Sequence, residues 1–472
     1  MEVASDGMPV NQGVARAAII VMAMMPVGGM KARFVRAEDL LEALPCGRIR
    51  GSGKNKARVE ENCMDIGHTG VIVRRTRKLY RAWQAPKTGM KFSTRTNWNL
   101  EENDFTASVR QARAAGAELL DLTISNPTAC GFAYNPEALL QPLSDERALL
   151  YEPAPLGMAR AREAVAAYYR DAEAQVGTEQ ICLTTSTSEA YSFLFRLLCD
   201  AGDEVLIARP SYPLFDFIAR LDDVKLVEYP LLYDSGWHID FHSLESTVTA
   251  RTRAIVVVHP NNPTGNFASD VERLALEEIC SRLGLALIVD EVFLDYGLEG
   301  TEARSFAAGE SKALTFVLSG LSKVCGLPQM KVSWIAATGP DDLVRAAMER
   351  LEVIADTFLS MNAPMQFALP QWLAHKSGLQ QEIRTRIRWN LAVLDARLQG
   401  TMASRLELQG GWATVLRVPR HIGGKPFVDS TLERGVIVQP GEFYGLPEGR
   451  VVLSLLTPAE VWQRGIAALP VD

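Results

Sequence analysis

Residues 254–292 read AIVVVHPNNPTGNFASDVERLALEEICSRLGLALIVDEV, and this stretch decides the fold. An unbroken run of Ala, Ile and Val ends at His259, and a loop rich in Asn, Pro and Gly follows. SDVERLALEEICSRLG then places apolar residues at helical spacing, and LALIV returns to an unbroken apolar run. Apolar runs without polar alternation suit strands buried on both faces. Strand, helix, strand in that order predicts a parallel pair covered by its connecting helix.

The same texture extends in both directions. ICLTT, EVLIA, KLVEYP and LTFVLSG read as further buried strands, and SEAYSFLFRLLCDAG as another helix. FTASVRQARAAGAELLDLTISNPT reads as a helix ending at a Gly and then a strand, and PLGMARAREAVAAYYRDAE as a helix with Pro155 and Gly157 at its entrance. Together they predict an α/β fold with a large, mainly parallel, doubly wound sheet. After Met361 a long helix, QQEIRTRIRWNLAVLDARLQ, and short strands predict a smaller α+β domain. The expected division is an extension over 1–90, the first part of the small domain over 91–135, the large domain over 136–362 and the rest of the small domain over 363–472.

Composition limits the function. The chain has 472 residues, 47% of them hydrophobic and 22% charged, which excludes a disordered or collagen-like protein. Seven scattered cysteines with no C-x-x-C pair predict reduced thiols in the cytoplasm, without zinc or a disulfide framework. Six histidines without an H-E-x-x-H pair speak against a metal enzyme. The apolar segment AAIIVMAMMPV is interrupted by Pro26 and falls short of the ~20 residues a membrane span needs, so no membrane partner is expected. A formal charge of −7 gives no general reason to expect nucleic acid.

From Lys31 to Lys91 basic residues outnumber acidic ones by more than two to one, in runs such as GRIRGSGKNKAR and VIVRRTRKLYRAW. A basic arm of this kind can touch an anionic partner. No helical or strand period persists through it, so the plainer expectation is a poorly ordered leader, with Met90 as an alternative start.

In a doubly wound sheet, ligands bind beyond the carboxyl ends of the strands. Reading those ends in order yields Ser186-Thr187-Ser188 opening a helix, then Tyr212 in RPSYP, Asn262 in HPNNPTGN, Asp290 in IVDEV, and Ser322-Lys323 in SGLSKVCGLPQMK. A helix N-terminus with hydroxyls can hold a phosphate. An amine beside a carboxylate and a flat aromatic suits an aldehyde cofactor with a protonatable ring nitrogen.

This ordered set resembles the class I/II aminotransferases, the fold type I pyridoxal-phosphate enzymes, from about Leu120 to Pro458. The resemblance implies that Lys323 bonds the cofactor pyridoxal 5′-phosphate and later shuttles a proton. It implies that Asp290 faces the ring nitrogen, that Asn262 bonds the ring hydroxyl and also contacts the substrate, with Asn262–Pro263 a candidate cis bond, and that Tyr212 stacks on the ring. Ser186, Thr187, Ser188, Ser322 and Lys331 would share the phosphate. Tyr151 matches a tyrosine that reaches the neighbouring subunit's phosphate, which implies a homodimer. Arg450, in EGRVVLSLLTP, matches the arginine that clamps the substrate α-carboxylate through two parallel bonds. Each residue also has a plain structural reading, as a strand-end cap, a turn residue or a packed aromatic.

Departures from the family pattern are equally specific. Phe293 stands where the family has a tyrosine that shares the ring hydroxyl, and Lys331 where it has an arginine, losing the bidentate fork. Ser186 and Ser125, the latter near the substrate carboxylate, replace glycines. The segment VIADTFLSMNAPMQF carries no arginine for a side-chain carboxylate, so the amino donor is expected to be neutral or apolar, with a 2-oxo acid as acceptor. The competing expectations are a pyridoxal-phosphate lyase acting on a C–S bond and, more remotely, a transcription regulator with an aminotransferase-like sensor. Residues 1–90 show no helix-turn-helix pattern for the regulator.

Overall fold

The computed structural model describes residues 90–419 and 421–471. The extension expected over 1–90, with the anionic-partner reading attached to it, lies outside the described residues except for Met90. Trp98 onward belongs to one compact unit. The described residues before it, 90–97, belong to another and hold one 3-10 turn, Thr94–Thr96, whose Ser93 side chain accepts from the Arg95 N–H.

The first unit opens with helix α1 (Asp104–Ala114), whose Asn103 cap accepts from the Thr106 N–H at 2.8 Å, and strand β1 (Leu120–Asp121). Helix α2 (Ala159–Asp171) leads to β2 (Ile181–Thr184), α3 (Thr187–Leu198) and β3 (Glu204–Arg209). Next come β4 (Lys225–Tyr233), β5 (Trp237–Ile239), β6 (Thr252–Val258), α4 (Asp270–Leu283) and β7 (Ala286–Asp290). Strands β8 (Thr315–Gly320) and β9 (Ser333–Thr338) complete one eight-stranded sheet in the order β2-β9-β8-β7-β6-β3-β4-β5.

Local chemistry marks the element ends. Helix α4 starts where Ser269 and Glu272 cap each other reciprocally and stops at Gly284, whose φ of 66° closes the last turn. Strands β8, β7, β6, β3 and β4 run parallel. Strand β9 runs antiparallel to both β2 and β8. Its start therefore lies at the edge where the parallel strands end, and the residues just before it join the loops of that edge.

Successive residues of a strand point to opposite faces, and each face of this sheet has its own core. Leu287, Val289, Val257 and Val317 belong to one apolar cluster, with α2 and α4 packed on it. Ala286, Ile288, Val256 and Phe316 belong to the other, with α3 and α5 (Asp341–Thr357). Covering both faces is what makes unbroken Val/Ile/Leu runs stable here, at roughly 1.5–3 kcal/mol per fully buried large apolar side chain.

Helix α6 (Ala363–Ala374) packs against α2 through Leu369 and Trp372, while α7 (Lys376–Leu398) turns Ile383, Ile387 and Leu394 to a third cluster. That cluster holds the smaller sheets. Strands β10 (Ser404–Arg405), β11 (Ala413–Arg417), β13 (Gln439–Pro440) and β14 (Arg450–Ser454) form an antiparallel sheet in the order β10-β11-β14-β13. Strand β12 (Val436–Ile437) pairs in parallel with β1, which ties the first residues of the unit to its last hundred.

Among the described residues no helix is long and apolar enough to cross a membrane, and no group of three or more His, Cys, Asp or Glu is placed to hold a metal ion.

Candidate active site

A cavity of about 640 Å³ opens beyond the carboxyl ends of the parallel strands. Eleven of the thirteen residues singled out from the sequence line it. They arrive from separate elements: Ser186, Thr187 and Ser188 after β2, Tyr212 after β3, Asn262 after β6, Asp290 and Phe293 from β7 onward, Ser322 and Lys323 after β8, Lys331 before β9, and Ser125 after β1.

One wall is built for an anion. Ser186 caps α3, its hydroxyl oxygen accepting from the Glu189 N–H at 3.1 Å, and Thr187 and Ser188 form the first turn. Free N–H groups at that turn, the helix dipole and three hydroxyls all favour negative charge. Ser322 and the Lys331 ammonium stand on the same cavity, Lys331 with a left-handed φ of 53°. Just before Ser322, β8 ends in an extended Gly320, where any Cβ would press into Ser333 and the Val332 carbonyl.

Groups of opposite charge line the same cavity at the sheet edge. Asp290 follows Ala286 and Ile288 along one face of β7, the face on which α3 packs, so it meets Tyr191 of that helix. Tyr191 donates to Asp290 Oδ2 at 3.3 Å, and the Val292 N–H donates to Oδ1 at 3.1 Å. Burial pushes Asp290 up to about 6, against those two donors and the nearby Lys323. Burial pulls Lys323 down to about 8, with Asp290 acting the other way. The Lys323 nitrogen lies 5.7 Å from the Phe293 ring centroid and 5.3 Å from that of Trp412. These two rings stand edge to face at 5.3 Å.

The loop that presents Asn262 is held from behind. His259 Nδ1 accepts from the Ala268 N–H at 3.1 Å, which leaves the proton on Nε2, facing the Arg304 carbonyl. Burial keeps this ring neutral, at about 4. Asn261 donates to the Pro210 carbonyl and to Thr264, and Thr264 donates to Asn266. Asn262–Pro263 is cis, as are Arg209–Pro210 and His259–Pro260. Gly265 takes a φ of +70° where a Cβ would overlap Leu408 and the Gly410 carbonyl.

Two of the thirteen stand apart from the cavity, one of them, Tyr151, expected at a neighbouring subunit's phosphate and not at its own. Tyr151 is 71% exposed, beside the exposed Leu149 and Leu150. Arg450 sits at the far end of β14, paired with Arg417, and donates to the Gly449 carbonyl at 3.1 Å. The cavity is reached instead by Val452, Leu453 and Ser454. Residues not expected from the sequence also line it: Tyr191, Asn126, Trp412 and Gln439. Tyr191 was findable, lying one helical turn beyond Thr187, on the same side of the helix. Trp412 had no local signal, because only the pairing of β11 with β14 carries it there.

An amine, a carboxylate against an aromatic hydroxyl, and a hydroxyl-rich helix N-terminus with a lysine share one cavity. That donor set fits a flat heteroaromatic aldehyde bearing a phosphate: the amine can bond the aldehyde, the carboxylate can face a protonated ring nitrogen, and the helix end can take the phosphate.

Comparison with known proteins points the same way. The family model described as aminotransferase class I and II matches residues 118–467. The chain is 30% identical over 269 residues to the glutamate-pyruvate aminotransferase AlaA of Haemophilus influenzae, a match covering 57% of this chain and 67% of that protein. It is 30% identical over 261 residues to the alanine aminotransferase of Mycobacterium bovis, covering 54% of this chain and 60% of that one. The matched stretch thus spans about two thirds of such relatives or less. The solved alanine aminotransferase of Pyrococcus furiosus superposes with a TM-score of 0.72 at 23% identity, over 80% of this chain and 98% of that chain. A Thermus thermophilus aspartate aminotransferase variant does so with a TM-score of 0.70, also at 23%, over 80% and 99%. At such identity these two structures show the shared fold.

Proposed function

Since this chain belongs to the class I and II aminotransferase family, we propose that it is a pyridoxal-phosphate-dependent transaminase that moves an amino group between a neutral or apolar amino acid and a 2-oxo acid. The observation that carries this reading is the meeting of Lys323 and Asp290 in one cavity beside the Ser186–Ser188 helix start.

When bound, pyridoxal 5′-phosphate supplies an electron sink for charge developing at the substrate Cα. The chain's own groups do the rest. Lys323 is the amine that would hold the cofactor aldehyde and, as a free amine, would move the proton at the substrate Cα. A lysine pulled down to about 8 by burial has an appreciable neutral fraction near neutral pH, as a base needs. Asp290, supported by Tyr191, would keep the ring nitrogen protonated. Asn262 would hold the ring hydroxyl and Tyr212 would pack on the ring. Ser186, Thr187, Ser188, Ser322 and Lys331 would hold the phosphate. Phe293 offers no hydrogen bond, so the ring hydroxyl would rely on Asn262.

The substrate side of the cavity is walled by Val292, Phe293, Trp412, Ala413, Val452 and Leu453, which supports an apolar side chain. The names of the relatives, which pair glutamate with pyruvate or cite alanine, support a small neutral amino acid as one partner. A homodimer is part of the reading. Leu149, Leu150 and Tyr151 are exposed, and so are Phe358 and Leu359. The two segments adjoin, with the Ala154 N–H donating to Ser360 Oγ at 2.8 Å. A second copy covering this patch would bring its Tyr151 toward the neighbouring phosphate site. The free thiols of Cys130, Cys182, Cys199, Cys280 and Cys325 support a reducing, cytoplasmic setting.

The test is an absorption titration of the cofactor-loaded protein with a panel of amino acids. The band of the lysine-bound cofactor should bleach as the amine form of the cofactor rises, with one 2-oxo acid released per site and recovery on adding a second 2-oxo acid. Release of pyruvate and ammonia without any acceptor would replace transfer by elimination.

A further inference from the structure

We propose that the Asn126 carboxamide receives the carboxyl oxygen of the amino substrate, acting as a neutral donor where the cavity brings no guanidinium among the described residues. This deepens the transaminase reading above and rests on it.

The argument begins with which lining groups are already engaged. Lys323, Asp290, Asn262 and the phosphate-binding set including Lys331 face the cofactor in that reading. Other polar groups on the lining include Ser125, Asn126, Thr128, Gln329, Gln439 and Ser454. Ser454 donates to the Ile124 carbonyl at 2.6 Å and accepts from the Leu456 N–H at 3.3 Å. The Thr128 hydroxyl donates to Asn126 Oδ1 at 2.8 Å. Gln439 Oε1 accepts from Tyr444 at 3.0 Å, and its side chain is nearly buried.

Asn126 is both fixed and open. Its Oδ1 accepts from the Thr128 N–H at 3.1 Å as well as from the Thr128 hydroxyl. A backbone N–H can only donate, so the atom facing it is the amide oxygen, and the orientation of the amide is settled. Both lone pairs of that oxygen are taken, and the two N–H donors of Nδ2 remain as the side chain's free polar atoms at the cavity wall. The segment that carries them is anchored to β14 through Ser454 and the Ile124 carbonyl. An N–H pair held in place matches a carboxylate oxygen, and the apolar wall of Trp412 and Val452 leaves the other end of the substrate to its side chain.

A neutral donor leaves less discrimination for a full negative charge than an arginine fork does. It also makes the site sensitive to a negative charge placed at this position. The experiment compares cofactor-loaded wild type with Asn126→Asp and Asn126→Ala. The probes are the panel amino acid that bleaches the cofactor band fastest and its matching amino alcohol, used as substrate or as competitive inhibitor. With Asn126→Asp the KM for the amino acid should rise about tenfold or more, with a smaller change in kcat, while the amino alcohol shifts less than about twofold. Asn126→Ala should lie between. An intact cofactor band and an unchanged melting curve verify folding. If Asn126→Asp does not fold, Thr128→Val, which frees the amide to turn, should still raise the KM for the amino acid selectively. Equal shifts for acid and alcohol, or none, overturn the assignment. Failure of wild type to convert any amino acid overturns the transaminase reading instead, so the two failures are distinct.

Discussion

The Tyr191 hydroxyl stands 3.3 Å from Asp290 Oδ2, donating to a carboxylate that burial would otherwise push further from its charged form. The contact joins the helix α3 to the end of the strand β7 on which it packs, and it stabilises the charge that a ring nitrogen would require. Tyr191→Phe should lower kcat or cofactor affinity about tenfold to a hundredfold, the effect of one hydrogen bond to a charged group. Cofactor titration and steady-state rates read this directly. The apoprotein should lose little stability, since the ring still packs on Phe215 at 4.9 Å.

Lys323 carries a cost in stability and, in the proposed reaction, the activity. Its replacement by Met should abolish the lysine-bound band and turnover. Burial lowers the folded-state value from 10.5 to about 8, so below pH 8 the folded apoprotein bears the full penalty of a buried ammonium. Between about 8 and 10.5 the folded lysine is neutral while the unfolded one stays charged. The unfolded state then binds more protons, and stability rises with pH. Lys323→Met apoprotein should therefore be more stable than wild-type apoprotein at pH 7, by about 3 kcal/mol. The gain should fade toward pH 10.5. Denaturant melts at pH 7 and pH 10 give the comparison, and an equal gain at both would contradict the cause.

Arg450→Ala should leave the KM for amino donors within about twofold of wild type. Ser454 at the cavity end of β14 pairs with Ala413, whereas Arg450 pairs with Arg417. Four residues of strand separate them, roughly 13 Å along its axis. A large KM rise in steady-state assays would return the arginine to the site.

Gly265→Ala should destabilise the protein by about 2–4 kcal/mol, because the residue combines a φ of +70° with no room beside Leu408 and Gly410. The same loop presents Asn262, so cofactor affinity should fall with it. Chemical denaturation of the apoprotein and cofactor titration separate the two losses.

Much of the architecture was legible because its physics is local. Unbroken apolar runs such as AIVVV and LALIV can only be stable with both faces covered, and caps such as Ser269 with Glu272 announce their helix. Strand β9 was harder: SWIAAT is short, and nothing near it tells that it runs against its neighbours. Yet that reversal is why Lys331, just before it, reaches the same edge as Lys323. Helix α6 shows a similar limit. Being apolar nearly all round, it could not announce that it packs on α2.

The order and spacing of strand-end residues by themselves determined the sheet, the family and the strand-end wall of the cavity, since each such residue is placed by the strand directly before it. Tertiary structure alone decided the facing wall. There Asn126, Trp412 and Val452 come from distant segments, and the register between β11 and β14 chooses which side chain of a strand faces inward. Residues two apart share a face, so the motif around Arg450 resembled a clamp, while the extent of the strand left Val452 at the wall.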